Sequence, residues 1–123
     1  MRTGRTAPLR VRLAPEWPNQ HPVWIARPGG VDPEDVPAAG LGERYGVSAA
    51  LCADIDAWDR AFQAIYRPDD PRESAFPDEE AMHHWYARGR ELAEQLAVEL
   101  GPTVRVEVVR MGGGFEQVGR DDG

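Results

Sequence analysis

Residues 78–100 carry the longest periodic apolar pattern in this chain of 123 residues. Acidic residues begin the segment and Gly101–Pro102 ends it, which predicts one long amphipathic helix. Its apolar stripe consists of Met82, Trp85, Gly89, Leu92, Leu96 and Leu100. A glycine inside a helix costs about 1 kcal/mol relative to alanine. We therefore expect Gly89 to mark a close crossing with another element, with Trp58 lying over the missing side chain.

A second apolar stripe precedes the first along the chain. Ser48 is a suitable N-cap, and the apolar residues that follow it share one helical face. They are Leu51, Ile55, Trp58, Phe62 and Ile65. The pattern predicts a first helix, and we expect Trp58 and Trp85 to be buried in one core that both helices share with a sheet.

Three short segments have the composition of strands. Leu9–Leu13 alternates apolar and charged residues, Pro22–Ala26 is apolar, and Thr103–Met111 is rich in valine. The order β-β-α-α-β predicts an α+β fold in which two amphipathic helices pack on one face of a small three-stranded sheet. The opposite face would stay thinly covered, carrying Arg10, Arg12, Arg105 and Glu107, with Trp24 as a further candidate.

The remaining segments are predicted to be irregular. Residues 31–47 are rich in proline, glycine and acid, and indicate a surface connection with room for one short helical turn. Residues 1–7 and 112–123 are expected to be flexible ends. The whole chain, 1–123, is thus predicted to be a single domain with an ordered core of about 8–111.

Composition excludes several classes of function. The net charge is −7, which argues against broad binding to nucleic acid and favours a basic partner. A single cysteine, Cys52, cannot form an internal disulfide. The sequence contains no apolar run of the length that a membrane helix needs, and "MRTGRTAPLRVRL" lacks the apolar core of a secretory signal. The cytoplasm is therefore the expected compartment.

Possible metal and phosphate sites lack the spacing that their chemistry needs. His83 and His84 are about 100° apart on a helix, so they cannot grip one ion together. Asp54, Asp56 and Asp59 point in different directions. "GLGERYG" lacks the preceding apolar strand of a phosphate loop. We expect no metal and no cofactor, and we predict that the chain is not an enzyme.

The segment "EWPNQHPVW", residues 16–24, supports two interpretations. Trp17 can pack against the helix pair, or the aromatic loop can anchor an interface. Both interpretations remain open at the level of sequence.

Several ordered features resemble small single-domain proteins of high-GC actinobacteria. They are "W-P…P-V-W", "ADIDAWDRAF", "DDP…F-P-D-E-E" and "GRELAEQLAVELGP" followed by a valine strand, and the similarity spans roughly residues 9–110. The resemblance implies one small domain. It brings no established activity and no site residues.

Three functional hypotheses follow. The first is an acidic protein-interaction module, of the kind found in immunity proteins or antitoxin-like inhibitors of a partner protein. The second is a small-ligand binder or compact enzyme that uses the 16–24 loop with Asp59 or Tyr66. The third is an accessory protein that self-associates through the exposed sheet face. Under the first hypothesis, the candidate partner-binding residues are Asp56, Asp59, Glu91, Glu94, Arg10, Arg12, Arg105 and Trp17.

Overall fold

A mixed sheet of five strands is present in the computed structural model, which describes residues 10–16, 21–27, 33–65, 69 and 75–118. The strands are β1 (Arg10–Leu13), β2 (Val23–Ala26), β3 (Glu34–Val36), β4 (Arg105–Val109) and β5 (Phe115–Val118). Their order across the sheet is β3-β2-β1-β4-β5. The central pair, β1 and β4, is parallel, and the other neighbours are antiparallel.

The described residues form three helices, α1 (Ala39–Tyr45), α2 (Ala49–Gln63) and α3 (Glu79–Leu100). Ser48 caps α2, because its hydroxyl accepts a hydrogen bond of 3.2 Å from the Leu51 amide. Asp78 caps α3 in the same way, accepting 2.8 Å from the Ala81 amide. Both helices thus begin at the residues that the sequence indicated.

The prediction of a three-stranded sheet with two helices was wrong, although the α+β class holds. β3 and α1 both form within residues 31–47, which were expected to be a surface connection with room for one short helical turn. β3 forms because Val36 pairs with Val23 and enters the core, where it is 3% exposed. In α1, the fully buried Leu41 outweighs the low helix propensity of the neighbouring glycines.

The fifth strand was missed because it lies within residues 112–123, which were expected to be a flexible end. Gly112, Gly113 and Gly114 all have positive φ angles, of 91°, 112° and 79°. This backbone conformation is easy for glycine and turns the chain back along β4. Val118 then pairs with Val106 and is buried.

All the buried strand side chains lie on one face of the sheet. The strand register aligns them in rows, and α1, α2 and α3 contribute to the same core. The members of this face are Val11, Leu13, Val23, Ile25, Val36, Val106, Val108 and Val118. Trp58 and Trp85 are 4% and 6% exposed in this core, which confirms the prediction that they share it.

The two tryptophans also fasten α2 to α3. Their rings stack with centroids 4.3 Å apart and planes 10° from parallel. Each indole N–H donates a hydrogen bond of 2.9 Å to the backbone carbonyl of the other tryptophan. A Cβ placed on Gly89 would overlap Cζ2 of Trp58 and lie 2.9 Å from its Cε2. The prediction that Trp58 lies over Gly89 is therefore confirmed.

Candidate protein-interaction surfaces

The second face of the sheet carries polar and aromatic side chains. As predicted, Arg10, Arg12, Arg105, Glu107 and Trp24 all lie there, since they alternate with the buried positions of their strands. β3 and β5, which were not predicted, add further side chains to it. We call this set the open sheet face: Arg10, Arg12, Trp24, Ala26, Asp35, Arg105, Glu107, Val109, Phe115 and Gln117.

Arg12 is held firmly at the centre of the open sheet face. Its Nε and Nη2 atoms lie 3.0 and 2.9 Å from Oε1 of Glu107. Its guanidinium carbon lies 3.8 Å from the ring centroid of Phe115, an arrangement that adds a cation–π contact. The Glu107 side chain is only 15% exposed, which strengthens the pair relative to one in water. Arg12 therefore contributes to the structure of the sheet.

Arg10 and Arg105 lie on the same face without such a partner. They are directly opposite each other in the parallel pairing of β1 and β4. Within the described ranges, neither forms an ion pair. Like charges directly opposite on neighbouring strands destabilise a sheet. These two arginines therefore contribute charge to the surface with no ion-pair partner in the part of the chain that the structure describes.

Aromatic and apolar groups lie beside these arginines. The Trp24 indole N–H donates 3.0 Å to the carbonyl of Ala14, which fixes the half-buried ring against the strand next to it. Phe115 is 41% exposed, and Met111, in the turn before it, is 42% exposed. Tryptophan, phenylalanine, methionine and arginine are enriched where protein interfaces are tightest.

Phe115 is the exposed aromatic member of this surface among those that the sequence interpretation missed. A signal for it is present: "RVEVV" and "FEQV" are two strand-like segments separated by a glycine-rich stretch, which is a hairpin pattern. The same run of glycines is also typical of a flexible end, which is why the strand was not predicted.

The acidic candidates lie on the helices, on the opposite side of the molecule. Asp56 pairs with Arg60 at 2.8 Å, one helical turn away. Two arginines of α3 each hold two carboxylates. These contacts are Arg88–Asp54 at 3.5 Å, Arg88–Glu91 at 3.2 Å, Arg90–Glu94 at 3.2 Å and Arg90–Glu116 at 2.7 Å. Because one cation serves two anions, this side stays acidic despite the pairing.

Asp59 occupies a more enclosed position than the other acids. Removal from water raises the pKa of its carboxyl group above the ordinary value of 3.8, and the hydrogen bond from Gln63 opposes that change. Nε2 of Gln63 lies 3.1 Å from Asp59 Oδ1 and 2.9 Å from the carbonyl of Glu16. Gln63 thus ties the end of α2 to the start of the 16–24 loop. Trp17 itself lies outside the described residues.

The seven candidate partner-binding residues that the structure describes are therefore not brought into one site. The acids of α2 and α3 face one side, and the arginines of β1 and β4 face the other. A protein partner that touches one group through a flat contact would leave the other group in water.

A groove of about 630 Å³ between α1 and α2 is the third surface feature. Its lining is mostly apolar, with the carboxylates of Glu43 and Asp56 among the groups at its wall. Asp59, which the ligand-binding hypothesis invoked, is not part of that lining. Cys52 does line it but is 8% exposed, and its removal from water raises the pKa of the thiol.

The histidines and the glycine motif lie on helices. His83 and His84 are exposed on α3, and Gly40 and Gly42 lie inside α1. Among the described residues, no group of three His, Cys, Asp or Glu side chains is placed to hold a metal ion. No helix in the described part of the chain has the length and apolar character needed to cross a membrane.

Comparison with known protein families gives a match over most of the chain. No curated protein matches the sequence. A family model described as Serratia CdiI immunity protein-like matches residues 9–111. The match begins beside β1 and ends after β4, so it includes all three helices and both central strands. It confirms the hypothesis of an immunity-like protein, and the chain belongs to the Serratia CdiI immunity protein-like family.

Proposed function

We propose that this protein is an immunity protein that binds a toxin protein in the cytoplasm and blocks its action as a stoichiometric complex. The family match over residues 9–111 is the observation that carries this proposal. It is supported by an open sheet face with the composition of a protein interface, at Arg10, Arg105, Trp24 and Phe115.

The charge of the chain adds a second element to the proposal. At a net charge of −7, the protein attracts a basic toxin over long distances. Asp56, Asp59, Glu91 and Glu94 contribute to this attraction from the helix side. Such attraction raises the rate of encounter more than it strengthens the final contact. The acids that guide a partner therefore need not be the residues that touch it.

Coexpression tests this function directly. A toxin domain encoded next to this chain in its source genome is expressed in a host cell with and without the protein. We expect growth to stop with the toxin alone and to recover with the protein present, and the two proteins to copurify in a one-to-one complex.

A matched control reverses the charge at two positions of the open sheet face. The double variant Arg10→Glu with Arg105→Glu serves this purpose. Growth that stays arrested with the wild-type protein present, together with no copurified toxin, would contradict the proposed function.

A further inference from the structure

The nine arginines that the structure describes differ in their contacts. Arg12, Arg44, Arg60, Arg88 and Arg90 each hold at least one carboxylate at 2.7–3.5 Å. Arg10 and Arg105 form no ion pair with another described residue, although the chain carries 21 acidic residues for 14 basic ones. Arg27 and Arg110 also form no ion pair with a described residue, but Arg10 and Arg105 differ from them because they are directly opposite each other in the strand register.

The position of the two arginines does not stabilise the fold. They are opposite each other in the register of β1 and β4, so their charges repel across the strand pair. A carboxylate placed between them would remove that repulsion and accept charge-assisted hydrogen bonds from both guanidinium groups. The face is therefore complementary to an acidic group.

The neighbours of the arginine pair indicate that the acidic group belongs to a protein. Arg12 and Trp24 lie in the next row of the sheet, and Phe115 lies against the Arg12 guanidinium. The Glu107 pair and the Ala14 carbonyl hold Arg12 and Trp24 in place before any partner arrives. Preformed aromatic and arginine anchors lose little entropy when a partner binds. Such anchors suit apolar side chains that flank a carboxylate.

We propose that the open sheet face docks the toxin, with an aspartate or glutamate of the toxin seated between Arg10 and Arg105. Apolar side chains of the same toxin surface pack against Trp24 and Phe115. This inference rests on the proposed function and assigns the surface that performs it. A basic toxin reaches the protein through its overall charge and presents a local acidic patch to this face.

Charge reversal at Arg105 tests the contact. The probe is a catalytically inactive variant of the toxin domain encoded next to this chain, and binding is measured by calorimetry. We expect Arg105→Glu to weaken the dissociation constant at least tenfold, and Arg10→Glu to do the same. The melting temperature should stay equal or rise, because either variant replaces a repulsive pair by an attractive one.

Arg60→Glu is the matched control. It makes the same change in net charge, but on the helix side, where the Arg60 side chain is 77% exposed. We expect its dissociation constant to stay within threefold of that of the wild type. Equal weakening by Arg60→Glu and Arg105→Glu would overturn the inference, because net charge alone would then explain the loss.

The remaining outcomes separate this inference from the proposed function. If the wild type binds the toxin and Arg105→Glu binds it equally well, the docking surface is wrong and the function stands. If the wild type does not bind the toxin, the docking surface and the proposed function are both wrong. If the isolated chain is a dimer that Arg105→Glu converts to a monomer, the occupant of this face is a second copy and the inference is overturned. Arg105-dependent binding of an RNA oligonucleotide, with the toxin bound equally by both forms, would overturn it as well.

Discussion

The side chains on the two faces of the sheet differ in how they are packed and paired. On the covered face, Val11, Leu13 and Val106 are at most 1% exposed and pack beneath the helices. On the open face, Arg10 and Arg105 lie opposite each other with no counter-ion among the described residues. The packed side chains of the covered face explain how the chain folds. The arginines of the open face indicate what the protein binds.

The indole N–H groups in the core have hydrogen-bond partners, just as the apolar side chains there have packing partners. The indole N–H groups of Trp58 and Trp85 are buried, and each finds a backbone carbonyl at 2.9 Å. A buried donor without a partner would cost about 1–3 kcal/mol. Gly89 permits this arrangement because a side chain there would push the Trp58 ring away.

The largest expected effect is at Gly89 of α3, in the core that lies over the covered face of the sheet. Gly89→Leu should lower the free energy of unfolding by about 1–3 kcal/mol, because the added side chain meets the Trp58 ring in a packed core. That loss exceeds the gain of about 1 kcal/mol that a better helix former brings. Urea denaturation followed by tryptophan fluorescence measures the change.

Ala87→Leu is the control for the Gly89 variant, since Ala87 is an exposed position of α3. We expect its midpoint of unfolding to differ little from that of the wild type. A midpoint that rises in Gly89→Leu would show that the glycine makes no close contact with Trp58.

The next effect compares two arginines of the open face. Arg12→Met should lower the free energy of unfolding by about 1–2 kcal/mol, because Glu107 loses its hydrogen-bonded cation in a mostly enclosed position. Arg105→Met should change it by less than about 0.5 kcal/mol in either direction. Chemical denaturation of the two variants in parallel gives both values.

This pair of variants distinguishes a structural arginine from a surface arginine. Equal destabilisation by Arg12→Met and Arg105→Met would mean that Arg105 has a structural partner, and the distinction drawn between them would fail.

How much of this arrangement the sequence predicts depends on the length of each pattern. The stripes of α2 and α3 extend over several turns, so their helical period, their caps and the contact at Gly89 could all be predicted. β3 has three residues and reads "EDV", which carries no local strand signal. Its formation depends on Val23, which is remote in sequence. Local patterns cannot report such pairing.

The open sheet face could be predicted only in part, because its contacts depend on the register between strands. Alternation within β1 and β4 placed Arg10, Arg12 and Arg105 on one face before the register was known. Which of the three arginines has a carboxylate beside it depends on the register, because the register sets Glu107 opposite Arg12. Phe115 belongs to a strand that the glycine run concealed.

The smallest expected effect concerns the helix side. Glu91→Arg combined with Glu94→Arg should slow association with a basic toxin several-fold at low salt, because attraction over distance is weakened. The difference should shrink at high salt, where screening limits exposed charges to a few ångströms. Stopped-flow fluorescence measures the association rate. An unchanged rate at low salt would show that these acids do not guide the partner.

A labelling footprint tests the central claim, that the open sheet face is the docking surface, most directly. Cys52 is the sole cysteine of the chain and is buried, so a single cysteine introduced elsewhere can be followed by its rate of reaction with maleimide. Gln117→Cys places it on the open sheet face and Glu91→Cys places it on α3. With the inactive toxin bound, we expect labelling at 117 to slow at least tenfold and labelling at 91 to stay unchanged. Protection at 91 without protection at 117 would contradict the account.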